Sequence, residues 1–218
     1  MVIRQRAIQA EDKQERHHAI LDAAARLLAR SPDRIANMAD VADEAGLAKG
    51  TVYLYFPSKE ELLLAVHERN IDGFFRALND RLASDRPTEI GDVLALTHEH
   101  MVAPPLFLPL AARCFGLMGQ SIPPEPALAF KQRMAERLTL AGAGLERHFP
   151  QLKPGAGLAL LRHSYAVILG LWQMSGAVIC PMSDGPGGPP PALAYTYPEE
   201  LDRALLALWN GTIAGGAQ

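Results

Sequence analysis

This 218-residue chain contains only two cysteines, Cys114 and Cys180, and they lie far apart. Both stand in apolar surroundings, where a cysteine is more often a small buried hydrophobe than half of a disulfide or a metal ligand. Residues 1–16 lack the apolar core of a signal peptide, and no apolar run elsewhere is long enough to span a bilayer. We therefore expect a cytoplasmic protein with no membrane partner.

An excess of positive charge is also missing. The formal net charge is -3, and residues 1–70 carry ten Lys and Arg against eleven Asp and Glu, which gives -1. Binding to nucleic acid would therefore depend on where the basic residues lie rather than on their sum. Arg4 and Arg6 precede the first acid in an N-terminal arm, and Lys49 and Lys59 fall within the motif described below.

Motifs of catalysis and of cofactor binding are absent as well. His67 begins a pattern like that of zinc proteases, but the second histidine is missing. The glycines that begin at Gly142 have Arg147 where a dinucleotide-binding loop needs its third glycine. His98 and His100 are two residues apart on a predicted helix and point away from each other. We therefore predict no catalytic residue, no metal site and no cofactor.

The sequence does contain a helix, a glycine turn and a short second helix within residues 38–59. Asn37 is a good N-cap for the first helix, and Gly46 can end that helix in the left-handed conformation. Leu47 and Val52 are then placed to be buried between the two helices. This arrangement is that of a helix-turn-helix, whose second helix projects into a major groove.

The second helix, residues 49–55, is short and carries many side chains able to donate hydrogen bonds to phosphate, namely Lys49, Thr51, Tyr53 and Tyr55. Pro57 stops this helix, and Ser58 to Glu61 form a capping box for the next. Lys59 therefore stands at a helix N-terminus, where an anion is favoured. A small helical hairpin with solvated tyrosines is the simpler alternative, but it does not account for the agreement of turn, cap, aromatics and lysine.

At these residues the chain resembles the tetracycline-repressor (TetR) family of bacterial transcription regulators. The family signature is approximately V/I-A-x-x-A-G-V-S-x-G-T-x-Y-x-x-F-x-S-K-E-x-L, and residues 41–62 read VADEAGLAKGTVYLYFPSKEEL. One departure is Ala48, which stands where many members carry a serine that caps the recognition helix. The resemblance implies a double-stranded DNA partner and this set of DNA-binding residues: Asn37, Lys49, Gly50, Thr51, Tyr53, Leu54, Tyr55 and Lys59.

The rest of the chain shows helical periodicity and no convincing strand. We expect an all-α protein of about nine helices, with a three-helix helix-turn-helix DNA-binding domain in residues 1–62 and a helical ligand-binding and dimerisation domain in residues 63–218. The first helix is expected from about Lys13, and a later helix from residues 86–88. Residues 180–198 are too rich in proline and glycine for regular helix.

Apolar and aromatic residues recur through the second domain. Ordinary core packing explains any one of them, but the resemblance implies a small-molecule cavity, for which methionine and aromatic rings make adaptable walls. The predicted partner is a small, largely apolar effector. The predicted pocket residues are Met101, Phe107, Phe115, Met118, Met134, Tyr165 and Trp172.

Two late segments, residues 158–179 and 199–213, are apolar nearly all round and need cover on every side. Burial within one chain is one solution. A twofold interface is another, and the resemblance implies a homodimer built in that way. The predicted interface residues are Ile168, Leu169, Leu205, Leu208 and Trp209.

Three functions remain open at this point. The first is a dimeric repressor that a small ligand releases from a near-palindromic operator. The second is a DNA-binding regulator without a small-molecule effector. The third, more remote, is a helical enzyme or carrier in which the helix-turn-helix is only structural.

Overall fold

A computed structural model describes residues 2–30, 37–117, 121–175 and 195–216, with side chains from residue 12 onward and up to residue 215. These residues form nine α-helices and one π-helical turn and contain no strand, which confirms the all-α prediction. The helices are α1 (Val2–Arg30), α2 (Met38–Ala45), α3 (Lys49–Tyr55), α4 (Lys59–Ala83), α5 (Ile90–Thr97), α6 (Phe107–Leu117), α7 (Pro124–His148), α8 (Ala156–Met174) and α9 (Tyr197–Gly216).

The chain divides into two compact units. The first unit comprises Met1–Asn70 and Pro105–Ala127, and the second comprises Ile71–Pro104 and Leu128–Gln218. The division crosses α4, as the predicted boundary at residue 62 also does, but α6 belongs to the first unit. The extent of the functional domains remains a prediction from the sequence.

In the first unit α1 packs on α2, and the apolar face of α1 buries Ile20, Ala23 and Ala24. Polar contacts reinforce this packing at the helix surfaces. The Nη1 atom of Arg69 in α4 lies 2.6 Å from Asp22 Oδ1, and its Nη2 donates to the carbonyl of Leu21. Arg69 therefore joins α4 to α1, eleven residues into α4.

Two predicted helix starts were wrong. Helix α1 begins at Val2 rather than near Lys13, because residues 2–12 contain neither glycine nor proline to stop it. Helix α5 begins at Ile90, four residues beyond the earliest predicted start, because Asp92 accepts from the backbone N–H of Glu89 and fixes the first turn there. Most of the predicted irregular segment 180–198 lies outside the described residues.

The second unit contains a close crossing of α7 and α8. A Cβ added at Gly142 would lie 2.6 Å from the backbone nitrogen of Leu158, and one added at Gly157 would collide with the Gly142 carbonyl. Just beyond the crossing, Glu146 Oε1 accepts from the N–H groups of Gly155 and Gly157 at 2.8 and 3.0 Å. A carboxylate from α7 therefore caps the N-terminus of α8.

Helix α5 continues into a π-helical turn, His98–Val102, which the sequence pattern did not indicate. The N–H of Ala103 donates to the carbonyl of His98, five residues back, at 2.8 Å. The turn carries the buried Met101, and His98 Nε2 lies 2.6 Å from Asp202 Oδ1 on α9. The π-helical turn is thereby joined to the last helix of the second unit.

Candidate nucleic-acid interface

The two helices of the motif begin and end where their sequence dictates. Asn37 Oδ1 accepts from the N–H groups of Ala39 and Asp40, both at 2.9 Å, so the predicted N-cap of α2 is confirmed. Gly46 has φ +66°, the left-handed conformation predicted for the helix end. Its N–H, like that of Leu47, donates back into the last turn of α2.

The buried side of α3 consists of one residue. Val52 is 0% exposed, and it packs in the same core as Val41 and Ala42 of α2, each 1% exposed. Phe56, just past the end of α3, is also buried. A helix of two turns held by Val52 and Phe56 must present the rest of its surface outward.

The outward surface of α3 carries most of the predicted DNA-binding residues. Lys49 and Gly50 are exposed, Tyr53 is 43% exposed and Leu54 is 84% exposed. Lys49 Nζ lies 5.9 Å from the centre of the Tyr53 ring, a cation–π contact that keeps the two together. An 84% exposed leucine on a short helix is suited to contact with base edges or thymine methyl groups.

Thr51 and Tyr55 are half-buried, with part of each side chain available at the edge of the same surface. Helix α3 has no side-chain cap, as the departure at Ala48 implied. The Thr51 N–H donates to the Ala48 carbonyl at 2.8 Å.

Lys59 is the first residue of α4, as predicted. Ser58 Oγ accepts from the N–H of Glu61 at 3.1 Å and donates to the Glu61 carboxylate at 3.2 Å. The Lys59 ammonium lies 3.7 Å from the Glu60 carboxylate, and the Lys59 side chain is 47% exposed. This surface ion pair is weak, so a phosphate can replace Glu60 as the partner of Lys59. An ammonium beside the N–H groups of a helix N-terminus is a favourable phosphate site.

Sequence reasoning missed the contacts that hold α2 against α1. Glu44 lies 2.7 Å from Arg26 Nε and 2.6 Å from Arg30 Nη2. Hydrogen bonds from Arg26 and then Arg30 hold the pKa of Glu44 below its usual value. It missed His17 too, whose ring packs against Phe56. These contacts join residues far apart in the chain, so helical spacing gives no signal for them.

The predicted pocket residues do not all fall in one unit. Phe107 and Phe115 belong to the first unit, whereas Met101, Met134, Tyr165 and Trp172 belong to the second, and Met118 lies outside the described residues. Met101 and Phe107 are buried, but Phe115 is exposed. The pocket remains a prediction.

Four predicted interface residues are already covered within one chain: Ile168, Leu169, Leu205 and Trp209 are buried, whereas Leu208 is half-buried. The Trp209 indole N–H donates to Ser164 Oγ at 3.0 Å, and the Trp209 ring packs on Phe149. The exposed residues of α8 and α9 include Arg162, Ala166, Gln173, Leu206, Ala207 and Gly211, and the dimer interface remains a prediction.

None of the described helices is by itself long and apolar enough to cross a membrane; a combined span of residues 90–117 would be bent by 76°. In the described part of the chain no three His, Cys, Asp or Glu side chains are grouped to hold a metal ion.

Comparison with known proteins agrees with this geometry. Residues 20–66 match the family model of bacterial regulatory proteins of the tetR family, and residues 68–177 match that of the tetracyclin repressor-like C-terminal domain. An uncharacterized HTH-type transcriptional regulator of Bacillus subtilis, YfiR, is 38% identical over 69 residues, 32% of this chain and 34% of the relative. The fatty acid metabolism regulator protein of the same organism is 29% identical over 70 residues, 32% of this chain and 36% of the relative. The chain thus matches about a third of the length of these curated relatives.

Solved structures show the same fold over nearly the whole chain. A putative TetR-family regulator from Mesorhizobium loti superposes with a TM-score of 0.61 at 16% identity, covering 92% of this chain and 96% of that one. The multidrug binding protein EbrR, complexed with imidazole, has a TM-score of 0.56 at 20% identity and coverages of 88% and 94%. A putative regulator from Saccharomonospora viridis in complex with choline has a TM-score of 0.56 at 18% identity and coverages of 90% and 96%. The chain belongs to the TetR family of bacterial transcription regulators.

Proposed function

We propose that this regulator is a dimeric repressor, which a small and largely apolar ligand releases from a near-palindromic DNA operator. The observation that carries the DNA-binding part is the outward surface of α3, with Lys49, Tyr53 and Leu54 exposed beside one another. Lys59 at the start of α4 adds a second phosphate site. Phosphate contacts set the position on DNA, whereas Lys49 and Leu54 lie nearer the bases.

Removing a phosphate contact tests this docking. Lys59→Ala should weaken binding to every DNA duplex and lower the salt dependence by about one ion. The matched control is Lys131→Ala, which removes an exposed lysine from α7 in the second unit. Equal affinity of Lys59→Ala and wild-type protein, measured by fluorescence anisotropy, would show that the docking is wrong.

The dimer is assigned to the exposed faces of α8 and α9. Small residues such as Ala166 and Gly211 allow helices of two subunits to approach closely, and Leu206, 41% exposed, adds apolar area. Leu206→Glu should yield monomers in sedimentation, whereas Leu140→Glu, at a 61% exposed leucine of α7, should leave the dimer intact. A wild-type protein that sediments as a monomer at micromolar concentration would contradict this assignment.

Ligand control is supported by the similar folds crystallised with imidazole, ethidium and choline. Helix α4 runs from Lys59 into the second unit, so a ligand that moves it would displace the α4 N-terminus and, through Arg69, α1. The ligand shifts DNA binding only by its differential affinity for the two states, and DNA must weaken ligand binding by the same factor.

A thermal-shift screen of small apolar compounds identifies the ligand, and titrating the hit with and without DNA tests the coupling. Equal ligand affinities in the two titrations would leave a regulator without a small-molecule switch, the second function considered from the sequence.

A further inference from the structure

His17 of α1 packs against the C-terminal end of α3. Its ring centre lies 5.0 Å from that of Phe56, with the planes inclined by 33°, and 6.4 Å from that of Tyr55. Phe56 is buried and His17 is half-buried. The imidazole therefore forms part of the support on which Tyr55 and the α3–α4 corner rest.

The groups that face His17 disfavour a positive charge on it. His18 lies beside it on α1, with ring centres 5.9 Å apart, and Arg69 approaches from α4 with its guanidinium paired to Asp22. Tyr55 faces it from α3. The pKa of His17 is lowered mainly by burial of the ring, and to a smaller extent by the charges of His18 and Arg69. In the free protein, the imidazole of His17 therefore holds a proton less readily than an ordinary histidine does.

We propose that His17 is a positioning residue of the DNA interface: it holds Tyr55 against the DNA backbone and takes up a proton when DNA binds. This inference rests on the proposed DNA-binding function. Tyr55, whose ring centre lies 6.4 Å from that of His17, would bring a bound DNA phosphate toward the imidazole, and their charges interact most strongly at low salt. The negative charge of the phosphate favours the imidazolium form, so the complex binds more protons than the free partners.

The sign of the effect follows from this proton uptake. Because the complex holds the extra proton, affinity for DNA rises as the pH falls through the pKa of His17. With a single linked proton, affinity changes by at most about tenfold per pH unit, and we expect tighter binding at pH 5.5 than at pH 7.5. DNA phosphodiesters do not titrate in this range.

The experiment measures the affinity of the full chain for a fluorescein-labelled, mixed-sequence duplex of about 40 base pairs at low salt, where phosphate contacts dominate. His17→Phe keeps a ring against Phe56 but cannot bind a proton. It should lose most of the pH dependence of DNA binding. His17→Gln, which removes the proton site without an additional apolar ring, should lose the same pH dependence.

His17→Ala removes the support and should weaken binding at every pH, with thermal unfolding confirming that the variant is folded. The control is His163→Gln, on an exposed residue of α8, which should retain the wild-type pH profile.

Two failures can be told apart. A wild-type protein that does not bind the duplex would overturn the proposed function itself. The alternative result is that the duplex binds in a Lys59-dependent manner while His17→Phe and His17→Gln keep the wild-type pH profile. That result would overturn only the role of His17.

Discussion

Gly142 of α7 and Gly157 of α8 meet backbone to backbone, without room for a side chain on either. By sequence, the glycines from Gly142 onward approach only a dinucleotide-binding loop, which Arg147 excludes. In the structure, these two glycines let the backbones of α7 and α8 come into contact where the helices cross.

Gly142→Ala should therefore destabilise the protein. The new methyl group would meet the backbone of Leu158, which cannot move without shifting α8, and overpacking of this kind costs about 1–3 kcal/mol. Gly91→Ala is the control, because nothing lies within 4 Å of its added Cβ and alanine favours helix. Urea unfolding measures both, and equal stability of the two variants would contradict the close crossing.

Ala48→Ser should stabilise the recognition helix. Residue 48 has φ -67° and ψ 142°, the extended conformation of an N-cap, but alanine offers no acceptor to the free N–H groups of α3. A serine cap contributes about 0.5–2 kcal/mol. Ala143→Ser, at an exposed position inside α7, should instead lower stability slightly. A lower urea midpoint for Ala48→Ser than for the wild type would contradict the cap assignment.

The buried His67 should make the protein less stable in mild acid. It is 2% exposed, its ring lies 5.5 Å from that of Phe107, and burial lowers its pKa from 6.5 to about 4. Between these pH values the unfolded chain binds a proton that the folded one does not. The stability present above pH 6.5 is therefore lost as the pH falls toward 4, by about 2 kcal/mol between pH 7.5 and 5.

Urea unfolding of His67→Phe at these two pH values should show a smaller loss than in the wild type, while His163→Gln should match the wild type. An equal loss in His67→Phe would mean that other groups cause the acid sensitivity.

Cys114 should be inert in the folded protein. It is 1% exposed, and burial raises the pKa of its thiol to about 12, so almost no thiolate forms at neutral pH. In a Cys180→Ser variant, a thiol reagent should label the chain only after denaturant is added. Rapid labelling of the native variant would contradict this burial.

Helices α2 and α3 could be predicted to the residue because their boundaries depend on neighbours in the chain. Asn37, Gly46 and Pro57 each act on the backbone beside them, whatever the rest of the protein does. Burial of Val52 predicted the outward positions of Lys49 and Tyr53, whereas Leu54 was expected at the DNA surface only from the resemblance to the TetR family.

Contacts between distant residues could not be predicted in this way. No periodicity shows that Glu44 binds two arginines of α1, or that Glu146 caps α8. The apolar residues of α8 and α9 raised the same difficulty, because one hydrophobic pattern serves both a core and an interface. Ile168 and Leu205 turned out to be covered by their own chain.

The π-helical turn at His98–Val102 affects how residues of this protein can be equated with those of its relatives. A π-helical turn holds one residue more than an α-helical turn, so each side chain after it is rotated by about 100° from its place in an uninterrupted helix. A family member that lacks this extra residue matches the chain before the turn in one register and after it in another. An ungapped alignment through residues 98–102 would therefore pair the buried Met101 with a residue on a different face of the helix. The roles of residues in a relative should be transferred to this chain only after a one-residue gap has been placed within residues 98–102.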